Sequence, residues 1–338
     1  MNWYLQSGND SDVVISTRVR YARNFRNFKF NINQKQDADK IEKEIKDQLH
    51  ILGYGLTFCK ISDMDDITKM TLLERNLISP ECVLDKNKIQ SILINEEENI
   101  CIMINEEDHL RIQVFGGSFE LENTFNLAKE LDQKIEEIFD IAKSEKYGYL
   151  TSCPTNVGTG IRASVMLHLP GLTKTGNIKK VLDVVSNFGL DIRGIYGENS
   201  KSSGDMYQVS NKQTLGITEE NIIKNLKIIT EKIIEQEREA RRILSQNSIE
   251  FEDMVYRSYG IIKECRKISS EETRELLSNV KLGTDMGIIK EMNDLKVKKL
   301  FLYTKPANLQ KYVGNKLNGY ERDIQRAETI KQIINGKD

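Results

Sequence analysis

From Asp12 to Ala22 apolar and polar side chains alternate, with Val13, Ile15, Thr17 and Val19 on one face and Val14, Ser16, Arg18 and Arg20 on the other. A strand of this kind buries one face, so its arginines either sit on a solvated edge or line a surface that uses them. The pattern returns further on. His109, Arg111 and Gln113 oppose Leu110, Ile112 and Val114, and Arg162, Ser164, Met166 and His168 oppose Ala163, Val165, Leu167 and Leu169. Another strand, Leu190 to Ile195, carries Arg193. If these strands share a sheet, five guanidinium groups converge. Like charges packed together repel unless a polyanion sits among them, so convergence implies a phosphate-rich ligand held by bidentate, charge-assisted bonds.

The rest of the chain supplies the frame. Ser91 to Val114 reads as a β-meander, with Asn105-Glu106-Glu107-Asp108-His109 at a strand junction. Helical spacing runs through Asp37 to Leu52, Ile67 to Leu77, Leu121 to Ala142 and Lys179 to Asn187. Gly197-Glu198-Asn199-Ser200-Lys201-Ser202-Ser203-Gly204 suits either a flap or an ordinary hairpin loop. Beyond Thr218, a helix cap, Glu219 to Leu244 is strongly helical, and 245–248 reads as a linker. Helices are then expected at Phe251 to Ile262, Ser270 to Val280, Met286 to Glu291, Ala307 to Tyr312 and Gly319 to Ile334. At 338 residues the chain exceeds the roughly 250–300 at which single cores divide. Two domains are expected, 1–245 and an all-helical 249–338.

Net charge is −2, so no global field favours nucleic acid or an anionic membrane. No apolar run approaches the ~20 residues of a membrane span, and Met1-Asn2-Trp3-Tyr4 does not start a signal peptide, so a cytoplasmic protein is expected. Five scattered cysteines without a CxxC argue against a disulfide framework or a thiolate metal site. There is no GxxxxGK[ST], no GxGxxG after a strand and no HRD or DFG set. Arginines would then take the place of a P-loop around a nucleoside triphosphate with Mg²⁺. Glu107, Glu198 and Cys153 suit a cationic acceptor, because a guanidinium fits two carboxylates through its planar fork. The carboxylates would align its nitrogen and take its proton as the N–P bond forms. Cys153 is either a small buried hydrophobe or a thiolate, favoured by nearby positive charge, that orients the guanidinium.

Cys153-Pro154-Thr155-Asn156-x-Gly158-Thr159-Gly160 with Arg162, and Asn105-Glu106-Glu107-Asp108-His109-Leu110-Arg111, resemble the two signatures of the phosphagen (guanidino) kinases. Ser16-Thr17-Arg18-Val19-Arg20 resembles that family's first arginine strand, and Arg193 stands where its fifth nucleotide arginine is expected. The resemblance implies an α+β fold, an antiparallel β-sheet flanked by helices. It implies ATP contacts from Ser16, Thr17, Arg18, Val19, Arg20, Arg111, Arg162, Ala163, Ser164, Val165, Met166, Arg193, Gly194, Ile195, Tyr196 and Gly197. Glu107 and Glu198 would be the catalytic carboxylates, and Mg²⁺ would be held through the ATP phosphates without a metal site in the protein.

The bacterial protein-arginine-kinase branch is the most similar. Small-guanidine kinases carry a helical domain ahead of the catalytic one, whereas the first arginine strand begins here near residue 12, which implies an open site for protein substrates. Arg322-Asp323-Ile324-Gln325-Arg326-Ala327 resembles that branch's phosphoarginine-sensing motif, and on a helix Arg322 and Arg326 share a face at i, i+4, fit for a phosphate or simply solvated. By resemblance the partners are arginine-bearing proteins, a second copy in a homodimer, a zinc-binding activator, a heat-shock repressor and a Clp ATPase in a stress response. Two positions depart from the pattern: Met166 and Asn76 stand where histidines associated with nucleotide contacts are usual. His168, on the same strand face as Met166, is the candidate to compensate in part. Two other readings stay open, a non-catalytic phosphoarginine-binding adaptor and a small-guanidine kinase.

Overall fold

The computed structural model describes residues 2–30, 35–85, 88–194 and 202–336. Strand β1 (Val14–Arg23) leads to helix α1 (Lys35–Leu52), strand β2 (Thr57–Lys60), helices α2 (Asp66–Glu74) and α3 (Pro80–Leu84), and a meander of β3 (Ser91–Ile94), β4 (Ile100–Ile104) and β5 (Leu110–Gly117). Helix α4 (Leu121–Ile138) and a small ribbon of β6 (Lys143–Ser144) and β7 (Gly148–Tyr149) precede β8 (Ile161–His168). Then come α5 (Pro170–Lys174), α6 (Ile178–Asn187), β9 (Leu190–Gly194) and β10 (Met206–Asn211). The remainder is helical: α7 (Glu219–Ser245), α8 (Ser248–Glu264), α9 (Ser270–Asp285), α10 (Asp294–Tyr303), α11 (Pro306–Val313) and α12 (Gly319–Ile334).

Strands order as β2-β3-β4-β5-β1-β8-β10-β9. The register of β1 on β5 sets Arg18 opposite Phe115, Arg20 opposite Gln113 and Ala22 opposite Arg111, while Val19 faces Val114 and Tyr21 faces Ile112. Side chains opposite one another lie on one side of the sheet, so alternation and pairing together sort the arginines from the apolar residues. This is the antiparallel, helix-flanked sheet expected from the resemblance.

Contacts divide the chain into two compact units, one of residues 1–3, 16–165 and 210–228, the other of 4–15, 166–209 and 229–338. In the first, Val19, Tyr21, Ile112 and Val114 are buried with Phe125, Ala128, Leu131 and Ile135 of α4, Ile41 and Ile45 of α1, and Leu226 of α7. In the second, Phe251, Val255, Leu277, Val280, Leu300 and Ile330 form part of one core among α8, α9, α10 and α12.

Around 139 and 286–294 the helices differ from expectation for local reasons. Helix α4 stops at Ile138 rather than Ala142, because Phe139 turns extended and stacks on Phe25 at 4.9 Å. No helix forms at 286–291. Gly287, at φ 72°, ends α9, and the missed helix α10 starts where Asn293 accepts a capping bond from the Lys296 N–H.

Two histidines are buried neutral, with a consequence for stability. His109 Nδ1 accepts from the Phe25 N–H at 2.9 Å. His168 Nε2 lies 2.9 Å from Ser278 Oγ, which itself donates to Asp205 at 2.6 Å, so His168 must carry its proton on Nε2 and leaves Nδ1 buried without a partner. Burial depresses both pKa values. For His168 the charges of Lys281, Arg241 and Lys174 add to it. A depressed pKa means the unfolded chain takes up the proton first, so stability present above the ordinary imidazole value of about 6.5 is lost as pH falls below it. Buried carboxylates such as Glu237 and Asp285 are pushed up by burial and act in the opposite sense, so the informative quantity is a difference. Between pH 6.5 and roughly 5, wild-type stability relative to His168→Asn should fall by about 1.4 kcal/mol per pH unit. Urea unfolding of both proteins across that range checks it, and parallel curves would contradict it.

Candidate active site

Arg18 and Arg20 extend from β1, Arg111 from β5 and Arg162 from β8, and the charges of Arg111 and Arg162 act on both β1 arginines. Burial first, and then this mutual repulsion, pushes Arg18 down to about 10 and Arg20 well below its ordinary value. Arg20 Nε is buried with no hydrogen-bond partner among the described residues. Cations gathered against their own repulsion form a surface built for an anion. Phe115, on the same side of the sheet, is stacked by Trp3 at 4.8 Å, and Leu77 O accepts from Gln113 at 2.9 Å. Apolar and amide groups thus flank the cationic patch.

The acidic run 105–109 is not a solvated turn. Asn105, at φ 58°, starts a tight return in which its N–H donates to His109 O at 3.0 Å. Glu106, Asp108 and His109 are buried, and Glu107 alone is exposed at the tip. Arg111 reaches both Glu106, at 2.8 Å, and Glu107, at 3.0 Å. The same arginine therefore touches the phosphate-type patch and the carboxylate.

Cys153 is tied to this turn by a short route. Asp108 Oδ1 accepts from the Ser152 N–H at 2.6 Å and from Asn24 Nδ2 at 2.7 Å, and Asn24 Oδ1 accepts from the His109 N–H at 2.8 Å. Glu107 and Cys153 are the sequence neighbours of Asp108 and Ser152. Cys153 is partly exposed, with its Sγ 3.0 Å from Thr155 Oγ1.

The glycine turn works for the fold. Its N–H groups at Gly158 and Thr159 go to Tyr149 O and Thr214 O, at 3.2 and 3.0 Å. Gly160, at φ +67°, has no room for a Cβ, which would come within 2.4 Å of Arg23 Nη1. Arg23 was not among the expected site residues. It is fully buried, pairs with Asp132 at 2.6 Å, donates to Thr159 O at 3.0 Å, and its guanidinium lies 3.4 Å from the Tyr149 ring centroid. One signal pointed to it, an arginine on the apolar face of β1, which must be buried and paired. Asp132 was equally legible, an acid on the inward stripe of α4.

Other expected contacts fall in varied places. Thr17, Val19, Ala163 and Val165 are 0% exposed; Thr17 Oγ1 donates to Ser118 O, and the Ala163 N–H goes to Asn211. Ser16 and Ser164 are also buried, and Met166 is partly exposed. Asn76, at φ 62°, ends α2 in the left-handed conformation that asparagine tolerates, just ahead of Leu77. In the second unit, Arg193 is exposed and paired with Asp191, and Gly194 ends β9. Ile195, Tyr196, Gly197 and Glu198 lie outside the described residues.

Two expectations are corrected. His168 is 0% exposed and bound to Ser278, so it cannot stand in for a nucleotide-contacting histidine at Met166. Arg326 does not share an exposed face with Arg322. It is buried, donating to Thr304 O at 2.8 Å, Ile268 O at 2.7 Å and Asp323 at 2.6 Å, while the partly exposed Arg322 donates to Leu317 O at 3.2 Å. Among the described residues no group of three or more His, Cys, Asp or Glu could hold a metal ion, and no helix is long and apolar enough to cross a membrane.

Residues 38–240 match the family model described as ATP:guanido phosphotransferase, C-terminal catalytic domain, and residues 248–338 match the protein-arginine kinase McsB C-terminal domain. A protein-arginine kinase of Halothermothrix orenii is 46% identical over 337 residues, covering 99% of this chain and 96% of that one. The chain belongs to the protein-arginine kinase family. The Bacillus subtilis protein-arginine kinase is 43% identical over 346 residues, covering 99% of this chain and 95% of its own length. Among solved structures, a lombricine kinase superposes with a TM-score of 0.60 at 25% identity, over 70% of this chain and 69% of that one. A duplicated taurocyamine kinase of Schistosoma mansoni gives a TM-score of 0.62 at 24% identity over 79% of this chain and 40% of its own, a likeness of fold. The family whose model matches residues 38–240 transfers phosphoryl groups between ATP and guanidino compounds.

Proposed function

We propose that this protein-arginine kinase moves the γ-phosphoryl group of ATP to arginine side chains of protein substrates. The observation that carries the reading is the four-arginine patch, with Arg111 shared between it and Glu107. Arg18, Arg20, Arg111 and Arg162, with Arg193, hold the phosphates; Ser16, Ser164, Met166, Asn76 and the 194–197 backbone lie along the nucleotide. Mg²⁺ arrives on the phosphates. Glu107 and Glu198 fork the acceptor guanidinium and take its proton as the N–P bond forms, and Cys153 orients it. Most of the acceleration then comes from alignment and charge stabilisation.

Residues 1–245 are proposed as the catalytic domain and 249–338 as a domain for dimerisation and phosphoarginine sensing through Arg322 and Asp323. Supporting this division, the two family models meet between residues 240 and 248. A cytoplasmic enzyme that marks proteins for a Clp-type protease under stress, with a zinc-binding activator and a heat-shock repressor among its partners, is the setting we infer. Incubation with γ-labelled ATP, Mg²⁺ and an unfolded protein should transfer label in an acid-labile, alkali-stable form. Labelled free arginine in place of labelled protein would contradict the proposed substrate, and binding of phosphoarginine without turnover would favour an adaptor.

A further inference from the structure

Asn24 lies just past the end of β1, is 0% exposed, and spends its side-chain amide on two other segments. Its Oδ1 accepts from the His109 N–H at 2.8 Å, and its Nδ2 donates to Asp108 Oδ1 at 2.7 Å and to Leu150 O at 3.3 Å. A backbone N–H can only donate and a backbone carbonyl can only accept, so a single orientation of the amide satisfies both. Asp108 Oδ1 takes a second bond from the Ser152 N–H at 2.6 Å, while Asp108 Oδ2 is buried with no hydrogen-bond partner among the described residues. The direction of that carboxylate is therefore set through one oxygen, by Asn24 and Ser152. Each joined segment also has supports of its own. The 105–109 turn keeps the Asn105 N–H on His109 O at 3.0 Å, Asn105 Nδ2 on Ala38 O at 3.0 Å and the Phe25 N–H on His109 Nδ1 at 2.9 Å. The 150–153 segment keeps the Leu150 N–H on Ala142 O at 3.0 Å and Thr151 Oγ1 on Cys153 O at 2.8 Å. What Asn24 adds is the spacing between the two.

We propose that Asn24 is a positioning residue for phosphoryl transfer, fixing the separation of Glu107 and Cys153 through Asp108 and Ser152. The proposal rests on the reading in which Glu107 and Cys153 flank the acceptor guanidinium. Glu107 precedes Asp108 and Cys153 follows Ser152, so the bond between Asp108 and the Ser152 N–H is a short path from one flank of the acceptor to the other. Without the Asn24 donor the Asp108 carboxylate is free to turn about its remaining bond, and the two flanks shift against each other. Where alignment supplies most of the acceleration, a misplacement of about 1 Å is enough to lower the rate ~10²-fold. Nucleotide binding depends on the arginine patch instead and should be spared. A buried amide at the end of the arginine strand would in this way act on the rate without touching substrate.

The test uses the full-length protein with Asn24→Asp, Asn24→Ser, Glu107→Gln and the two double variants, compared by single-turnover rates. Asn24→Asp keeps an acceptor for the His109 N–H but sets a second oxygen against Asp108 and Leu150 O, where acceptors repel. It should lower the rate about 100-fold and Asn24→Ser about tenfold, with KM for ATP within about twofold of wild type in both. Once Glu107 is disabled its spacing from Cys153 loses most of its effect, so each double variant should fall within about threefold of Glu107→Gln alone. Asn24→Ser buries no charge and completes the same cycle where Asn24→Asp does not fold. Wild-type rates in the Asn24 variants, losses that multiply with that of Glu107→Gln, or equal losses of rate and ATP affinity would overturn the inference, while an impaired Glu107→Gln leaves the proposed function standing. A wild-type rate in Glu107→Gln would remove the role of that carboxylate, and the role of Asn24 with it.

Discussion

Replacing Arg20 with methionine is expected to make the protein more stable and a much weaker binder of ATP. Arg20 is partly buried among Arg18, Arg111 and Arg162, its Nε has no partner among the described residues, and its charge is disfavoured first by burial and then by its neighbours. Methionine fills similar volume without those costs, so unfolding free energy should rise by about 1–2 kcal/mol. Removing a cation from the phosphate patch should weaken ATP binding at least ~30-fold, equivalent to about 2 kcal/mol. Saturating ATP with Mg²⁺ should stabilise the wild type by about 2.7 kcal/mol at a hundred times Kd, and at the same ATP concentration this gain should fall to about 0.9 kcal/mol or less in the variant. Denaturant melts with and without nucleotide separate the two effects. A variant that is less stable and still stabilised by ATP would show that the arginines are structural.

Glu107→Gln should act on the other half of the chemistry. The side chain stands exposed at the tip of a turn whose remaining residues are buried and bonded, so its replacement leaves the fold alone. The amide cannot take a proton from a guanidinium, and kcat should fall by about 10³. Arg111 keeps Glu106 at 2.8 Å, so the phosphate patch persists and the ATP-dependent stabilisation should be unchanged. Single-turnover rates alongside nucleotide melts check both halves. A loss of ATP binding equal to the loss of rate would assign Glu107 to the nucleotide instead.

Much of this site was legible because strand alternation carries direct physical meaning. Once Arg18 and Arg20 share a face in β1, pairing with Gln113 and proximity to Arg111 follow from the sheet. The supporting shell was less legible. Arg23 belongs to the same strand, and its position on the apolar face announced a buried pair, yet the identity of its partner, Asp132, depends on how α4 packs. Asn24, Asp108 and Ser152 lie far apart along the chain and meet only because β1, the 105–109 turn and the 150–153 segment end at one place. Polar residues in regular patterns were the harder case. His168 and Arg326 both follow periodicities that suggest exposure, and both are buried, His168 with its Nε2 on Ser278 and Arg326 on the Thr304 and Ile268 carbonyls.

Delivery of phosphate to arginine in proteins by this arginine and carboxylate site can be tested at the product. Phosphosite mapping by mass spectrometry, under conditions that preserve the N–P bond, addresses it directly when an unfolded protein substrate is treated with wild-type enzyme or Glu107→Gln. Phosphate is expected on arginine side chains with the wild type and is expected to be lost with the variant. Phosphate on serine, threonine or tyrosine, or phosphoarginine formed equally well by Glu107→Gln, would contradict it.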